Sequence, residues 1–311
     1  MNPAFSVIVF TTVAGAAQGL VVALAVALLG GGTIAPAFVS MLLLVALAML
    51  VIGLGASFLH LGRPERAWRA ATMWRTSWLS REVIALPACI GIVALWWLAA
   101  RLDAPAVLTR VAFPLAALVL AAALWYCTAM IYACLHFIEE WAHPLTFVNF
   151  VAIGLSSGFI LATALATLAG EATFGRLVGP WALVATLGAG ATRMLALRRN
   201  RGIRHRSTLQ SATGIRAARL VQTSMGMSAG SFNTREFFHR ASLAGLERIK
   251  LVVVVFGFTL PALLAGWGIA SGAALPWWLA LLVQAPGLLA DRWLFFAQAK
   301  HPQNLYYQVV S

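Results

Sequence analysis

Charge is what this chain lacks most. Lys, Arg, Asp and Glu make up 10% of its 311 residues, and only nine of those residues are acidic. A soluble domain of this length needs a charged surface, so the shortage excludes one. The three cysteines, Cys89, Cys127 and Cys134, have no C-x-x-C spacing, and the last two sit seven apart on one predicted helix. That excludes a cysteine-held cluster or a disulfide framework and leaves small core residues. The leading Met1-Asn2-Pro3-Ala4-Phe5-Ser6 has no basic n-region, and the apolar run behind it is too long for a signal-peptide core, so it is expected to be retained.

Long hydrophobic runs are abundant instead. The chain is 61% hydrophobic, with a mean hydropathy of +0.88. Eight stretches reach bilayer-spanning length: Ser6 to Gly30, Pro36 to His60, Val83 to Ala100, Val111 to Phe137, Leu145 to Gly170, Phe174 to Leu197, Leu251 to Ala274 and Pro276 to Ala297. Lipid offers no hydrogen-bond partners, and these runs are too long and apolar for barrel strands, so they must be helices. The predicted fold is all-α, a polytopic membrane protein of eight transmembrane helices. A weak echo of residues 137–144 in 295–302, each ending His-Pro, hints at two four-helix halves. Residues 1–311 read as a single integral membrane domain.

The few charges are lopsided. With eight spans, both termini and the loops after spans two, four and six share one face. Nineteen of the 22 Lys and Arg fall there, and only Arg101, Arg110 and Arg176 fall on the other face. Cytoplasmic loops retain Lys and Arg, so the basic face is expected to be cytoplasmic, with both termini inside a bacterial inner membrane. The stretch 193–250, read as a basic cytoplasmic loop, carries twelve basic and two acidic residues. Acidic lipid headgroups are one target for such charge. Its Gly-, Ser-, Thr- and Phe-rich segments, such as 230–238, favour docking of a soluble partner. Nucleic acid is not expected, since no recognition fold accompanies the arginines.

Histidine is absent from the half of the membrane away from the basic face. A transmembrane di-haem wire, which needs imidazole pairs at two depths, is therefore excluded. Haem is not expected, although His60 and His136 end even-numbered spans on the basic face and leave a single-haem arrangement open. Charge is nearly missing from the midplane, which speaks against a secondary transporter, the rival reading from a different class.

The candidate site lies where span two stops. His60 ends that span, and Ser80, Arg81 and Glu82 open span three. The segment between them carries Arg63, Arg66, Arg69, Arg75, Trp68, Trp74 and Trp78, suited to headgroup level. A base and a carboxylate beside a hydrophobic cleft can hydrogen-bond a quinone carbonyl and relay its protons; an interfacial snorkelled pair is the alternative. Asp291 lies fifteen residues beyond Pro276, roughly 22 Å of helix rise, inside the bilayer on the basic side. Its cost is relieved by Arg292, by an ion pair with another span, or by a role in protonation.

The run Phe58-Leu59-His60-Leu61-Gly62-Arg63-Pro64-Glu65-Arg66-Ala67-Trp68, with Thr76-Ser77-Trp78-Leu79-Ser80-Arg81-Glu82, resembles the signature of the dimethyl sulfoxide reductase membrane-anchor subunits. The resemblance extends over essentially the whole chain. It implies an anchor that holds a molybdopterin catalytic subunit and an iron-sulfur subunit, carries no haem and exchanges electrons with a quinone, ubiquinone or menaquinone. Family quinone-site residues carry over onto His60 and Glu82 as the catalytic pair. Arg63, Arg66, Ser80, Arg81 and Asp291 join the candidate quinone-binding set by proximity or depth. The basic orientation, the segment 207–215 and the ending, 291–296 followed by 301–308, are similar to the anchors of cytoplasmic sulfite-oxidising molybdoenzymes. That branch implies electron flow from sulfite to quinone. A quinol-oxidising reductase of the same family is the alternative.

Overall fold

The computed structural model describes residues 1–2, 4–59, 61–224 and 241–306. His60 and the segment 230–238 lie outside the described residues, as do 307–308.

Among the described residues the chain is helical and has no strands. The helices are α1 (Phe5–Leu29), α2 (Pro36–Phe58), α3 (Trp78–Arg101), α4 (Phe113–Ala133), α5 (Pro144–Ala169), α6 (Ala172–Arg201), a short α7 (Leu209–Thr213), α8 (Leu243–Val252), α9 (Leu260–Ser271) and α10 (Leu275–Ala297). A π-helical stretch, Val253–Thr259, joins α8 to α9 as one rod, and a shorter one, Leu108–Ala112, leads into α4. Eight rods result. Seven are long and apolar enough to cross a membrane. The eighth, α6, has 30 residues, but Gly175, Gly179, Pro180, Gly188 and Gly190 and its arginines dilute its apolar character.

Local chemistry sets the helix ends. Pro36 and Pro144 occupy first-turn positions, where a missing N–H costs nothing. Ser77 caps α3 by accepting from the Ser80 N–H at 3.4 Å, and Ser242 caps α8 by accepting from Gly245 at 3.1 Å. The basic stretch 193–250 is only partly loop: α6 continues through Arg201 and α8 begins at Leu243, because helices of these residues extend beyond the apolar core.

Each half closes on itself. In the first, α1 packs on α2, α2 on α3, α3 on α4, and α4 returns to α1; in the second, α5 packs on α6, α6 on α9, α9 on α10, and α10 returns to α5. The halves join through α1 and α5, which cross with their backbones in contact. A Cβ on Gly158 would sit 2.3 Å from the Gly19 carbonyl carbon, and one on Gly19 would sit 2.0 Å from the Gly154 oxygen. Lipid tails are as apolar as the helices, so close van der Waals approach holds such bundles, and only glycine permits this one.

The echoed His-Pro sequences are one structural device used twice. His143 Nδ1 accepts from the Leu145 N–H at 3.1 Å, and His301 Nδ1 accepts from Gln303 at 3.2 Å. Each histidine starts a helical turn that opens with proline. The corners are neighbours: the Phe137 ring meets His301 edge-on at 5.4 Å between centroids.

Candidate functional site

Between α2 and α3 the chain forms a 3₁₀ stretch, Pro64–Ala71, and a turn. Trp68, Met73 and Trp74 are exposed, as are Arg63 and Arg66, which places this amphipathic segment on the surface against α3. Arg66 lies 3.9 Å from Glu65, a solvent-exposed pair of little energetic weight. Arg81 folds back on the segment. Its Nε donates to the Trp74 carbonyl and its Nη2 to the Arg75 carbonyl, both at 2.9 Å. Its guanidinium carbon stands 4.0 Å from the Trp78 ring centroid. Arg81 therefore fastens the surface segment to the head of α3.

One residue on, the helix turns its next side chain inward. Glu82 is 7% exposed, and Ser80 is also buried. The partner of Glu82 is the Thr128 hydroxyl of α4, which donates to Oε1. A row of rings begins one turn earlier on α3: Trp78 meets Tyr126 of α4 edge-on at 5.3 Å, and Tyr126 meets Phe147 of α5 at 5.6 Å. Leu59 and Leu61, which flank His60, are exposed. Ser80, Arg81 and Glu82 thus share one helical turn beside an aromatic wall, with Arg63 and Arg66 on the adjoining segment.

Asp291 belongs to a different corner. It is 1% exposed and accepts from Arg193 Nε of α6. The adjacent Arg292, 3% exposed, lies with its guanidinium carbon 3.9 Å from the Phe150 centroid. Phe150 belongs to a cluster with Tyr132, Trp141, Phe295 and Phe296, whose rings pack on one another with centroids 5.3 to 5.9 Å apart. Of the three ways to relieve Asp291, the ion pair with another helix is present, and the adjacent Arg292 adds a second positive charge. Two donors (Arg193 Nη2 and Arg292 Nε) and two acceptors (Asn149 Oδ1 and Glu140 Oε2) are buried there without a protein partner among the described residues, around a small polar pocket. A mixed set of donors and acceptors in so small a space suits an internal water.

Thr128 and Arg193 are the residues that sequence reasoning missed. Arg193 had a signal, as an arginine inside an apolar run opposite a buried aspartate. Thr128 had none, because a lone threonine in a span usually bonds its own helix.

At the mouth of the second corner, Arg199 Nη1 donates to the Glu139 carbonyl at 2.7 Å, and His205 Nε2 lies 3.6 Å from Glu140 Oε1. Partial burial, with Arg199 as a second cause, holds the His143 imidazole below its ordinary value. Two motifs far apart in sequence also meet: the Tyr306 hydroxyl donates to the Ala212 carbonyl at 2.8 Å, and Gln222 Nε2 donates to the Tyr306 carbonyl at 2.9 Å. The segment 207–215 is therefore tied to the turn that follows His301-Pro302.

The chain has known relatives. A sulfite dehydrogenase subunit of Allochromatium vinosum is 47% identical over 328 aligned positions, which cover 100% of both chains. Residues 1–223, which include the surface segment, Glu82, Thr128 and Arg193, match the family described as DMSO reductase anchor subunit (DmsC). Identity carried through all eight rods, together with a family match that spans the first corner and reaches past α7, leaves one assignment: the chain belongs to the DMSO reductase anchor subunit family.

Proposed function

We propose that this membrane anchor of an oxidoreductase complex is also its quinone-reactive subunit. In this reading it passes electrons from sulfite oxidation on a molybdopterin subunit, through an iron-sulfur subunit, to a membrane quinone. The observation that carries the proposal is Glu82: a carboxyl buried at the head of a membrane helix, bonded to a neutral hydroxyl and one helical turn from Trp78, whose ring begins a row with Tyr126 and Phe147. An apolar aromatic wall with one proton-exchanging group suits a quinone head. A quinone bound there supplies a two-electron, two-proton acceptor.

The chain's own residues do the rest. Trp78 and Tyr126 form the flat wall. Arg81 holds the surface segment against α3. Glu82 and His60 hold and pass protons at the carboxyl oxygen and the imidazole nitrogen, and the Thr128 hydroxyl keeps the Glu82 carboxyl oriented. With no haem wire in the anchor, electrons must meet the quinone close to the docked partner, so site and partner share a face. Arginine bias makes that face cytoplasmic, with both termini inside, protons drawn from the cytoplasm and no net charge moved across the membrane. The basic stretch after α6 gives the partner an electrostatic landing surface.

The test uses the complete assembly of anchor, iron-sulfur and molybdopterin subunits. His60→Ala should retain dye-linked sulfite oxidation and lose quinone reduction. Retention of both would remove His60 from the mechanism, and loss of both would point to failed assembly, which co-elution of molybdenum and iron with the anchor checks.

A further inference from the structure

At the end of the bundle away from Glu82 and Asp291 lies a cavity of about 360 Å³. It sits where two tight turns come together, α5 into α6 and α9 into α10. Gly170 (φ +73°) and Gly272 (φ +67°) take the left-handed conformation that ends α5 and α9. With Gly175 they line the cavity and leave out the side chains that would have filled it, while Gly268 lets the Trp277 ring pack against its backbone. From Gly170 the space runs down α5 to Thr163, about 10 Å of helix. Its walls there include Ala166, Pro180, Ile269 and Trp277.

The rim carries two opposite charges, Glu171 and Arg176. Among the described residues they form no ion pair with each other or with any other group, the ion pairs present being those of Glu65, Asp291, Glu247 and Glu140. Arg176 is also one of only three basic residues assigned to this side of the sequence, so it is not part of a general cationic belt. A cleft of several hundred Å³, mostly apolar, with its charges at the rim and the Thr163 and Thr167 hydroxyls bonded to their own helix, has the proportions of a small-molecule site. Its ligand must bring an apolar chain for the depth of the cleft and, at the rim, both an anion for Arg176 and a cation for Glu171.

We infer that the cleft holds one molecule of a zwitterionic phospholipid with a primary ammonium headgroup, phosphatidylethanolamine. Its phosphate faces Arg176, its ammonium donates to Glu171, and an acyl chain lies between the α5/α6 and α9/α10 hairpins. An anionic lipid satisfies Arg176 but meets Glu171 as a like charge. A quaternary ammonium headgroup cannot donate a hydrogen bond to the carboxylate. A quinone leaves Glu171 unmatched. The inference concerns the opposite end of the molecule from the proposed quinone site and does not depend on that reading.

The full-length chain, purified in detergent, delipidated and titrated with phosphatidylethanolamine or phosphatidylglycerol under native mass spectrometry, tests it. One phosphatidylethanolamine should be retained, at least tenfold more tightly than phosphatidylglycerol. Glu171→Gln should erase that preference while leaving phosphatidylglycerol binding intact or stronger, and Arg176→Gln should weaken both lipids about tenfold, near 1.4 kcal/mol. Arg176 is exposed and Glu171 half-buried at the rim, so neither change reaches the helix core. Gly175→Leu fills the cavity from a position whose added Cβ meets only the Ala166 methyl at 3.7 Å, and it should abolish the retained copy. Equal retention of the two lipids by the parent chain, retention unchanged in both Gln variants, or displacement by a quinone analogue would each overturn the inference.

Discussion

Glu82 and Asp291 are both buried at basic-face ends of helices, and their partners could hardly differ more. Asp291 faces a guanidinium, which can only donate and stays charged, so protonating the carboxylate would abolish the ion pair and leave a buried cation without its counter-charge. Glu82 faces a threonine hydroxyl, which donates to a carboxylate and accepts from a carboxylic acid. The first arrangement locks helices together. The second lets a proton come and go without breaking the bond. Under the proposed function, two residues that look alike in composition and in depth have opposite uses, and the neighbour on the next helix decides which.

The largest effect that tests this contrast is on turnover. Glu82→Gln keeps the shape and an oxygen that can accept from Thr128, but it cannot carry a proton. Quinone reduction by the assembled complex should fall about 10²- to 10⁴-fold, the usual range for a lost proton-transfer group, with the melting temperature of the complex nearly unchanged. A normal rate would break the comparison at its active side.

At the other corner the loss should be of stability. Asp291→Asn leaves Arg193 and Arg292 buried without a counter-charge, at a cost of about 3–5 kcal/mol. Thermal denaturation of the complex in detergent reads this out. Arg193→Met should cost less, because Arg292 remains beside Asp291. In each variant the quinone reduction rate per folded complex should be preserved. Asp291→Asn with unchanged stability and lowered turnover would move Asp291 to the catalytic side of the comparison.

Thr128→Val is a smaller and finer test. It removes a hydroxyl and leaves the buried Glu82 carboxyl without its partner, for about 1–3 kcal/mol. It should also slow quinone reduction, and Thr128→Ser should restore both. Recovery of stability without recovery of rate would reduce Thr128 to a packing role.

How much of this could be read from sequence depends on the kind of information involved. The helices were legible because bilayer length and apolarity are local properties, and α1, α2 and α5 lie within two residues of their expected bounds. Glu82 and Asp291 stood out as carboxylates in apolar surroundings. What distinguishes them was not legible, since Thr128 is 46 residues from Glu82 and Arg193 is 98 residues from Asp291. Sequence distance carries no hint of those pairings. Arg81 was grouped with the quinone-binding set by proximity, yet its donors go to the Trp74 and Arg75 carbonyls. Side-chain direction at a helix start depends on the segment folded against it, and the one-dimensional pattern omits that segment. The His-Pro echo was visible as letters, while its meaning, a ring nitrogen capping the next turn, needed the backbone.

That echo gives the smallest predicted effect, and it separates the two corners by pH. Burial is the main cause holding His143 and His301 below the ordinary histidine value of 6.5, with Arg199 and the chain's amino terminus, respectively, as second causes. The folded state thus prefers the neutral imidazoles, whose Nδ1 atoms accept the capping N–H bonds. Between the lowered values and 6.5 the unfolded chain binds more protons, so stability rises with pH across that interval. The caps contribute in full above 6.5 and lose their contribution as pH falls below it. Asparagine also caps helix starts but does not titrate, so His143→Asn with His301→Asn should flatten the acid limb of the stability profile while leaving the pH profile of quinone reduction where it was. If the turnover profile moved with the stability profile, the histidines that cap helices would be shown to feed protons to the Glu82 corner, and the division between a locking corner and an exchanging one would fail.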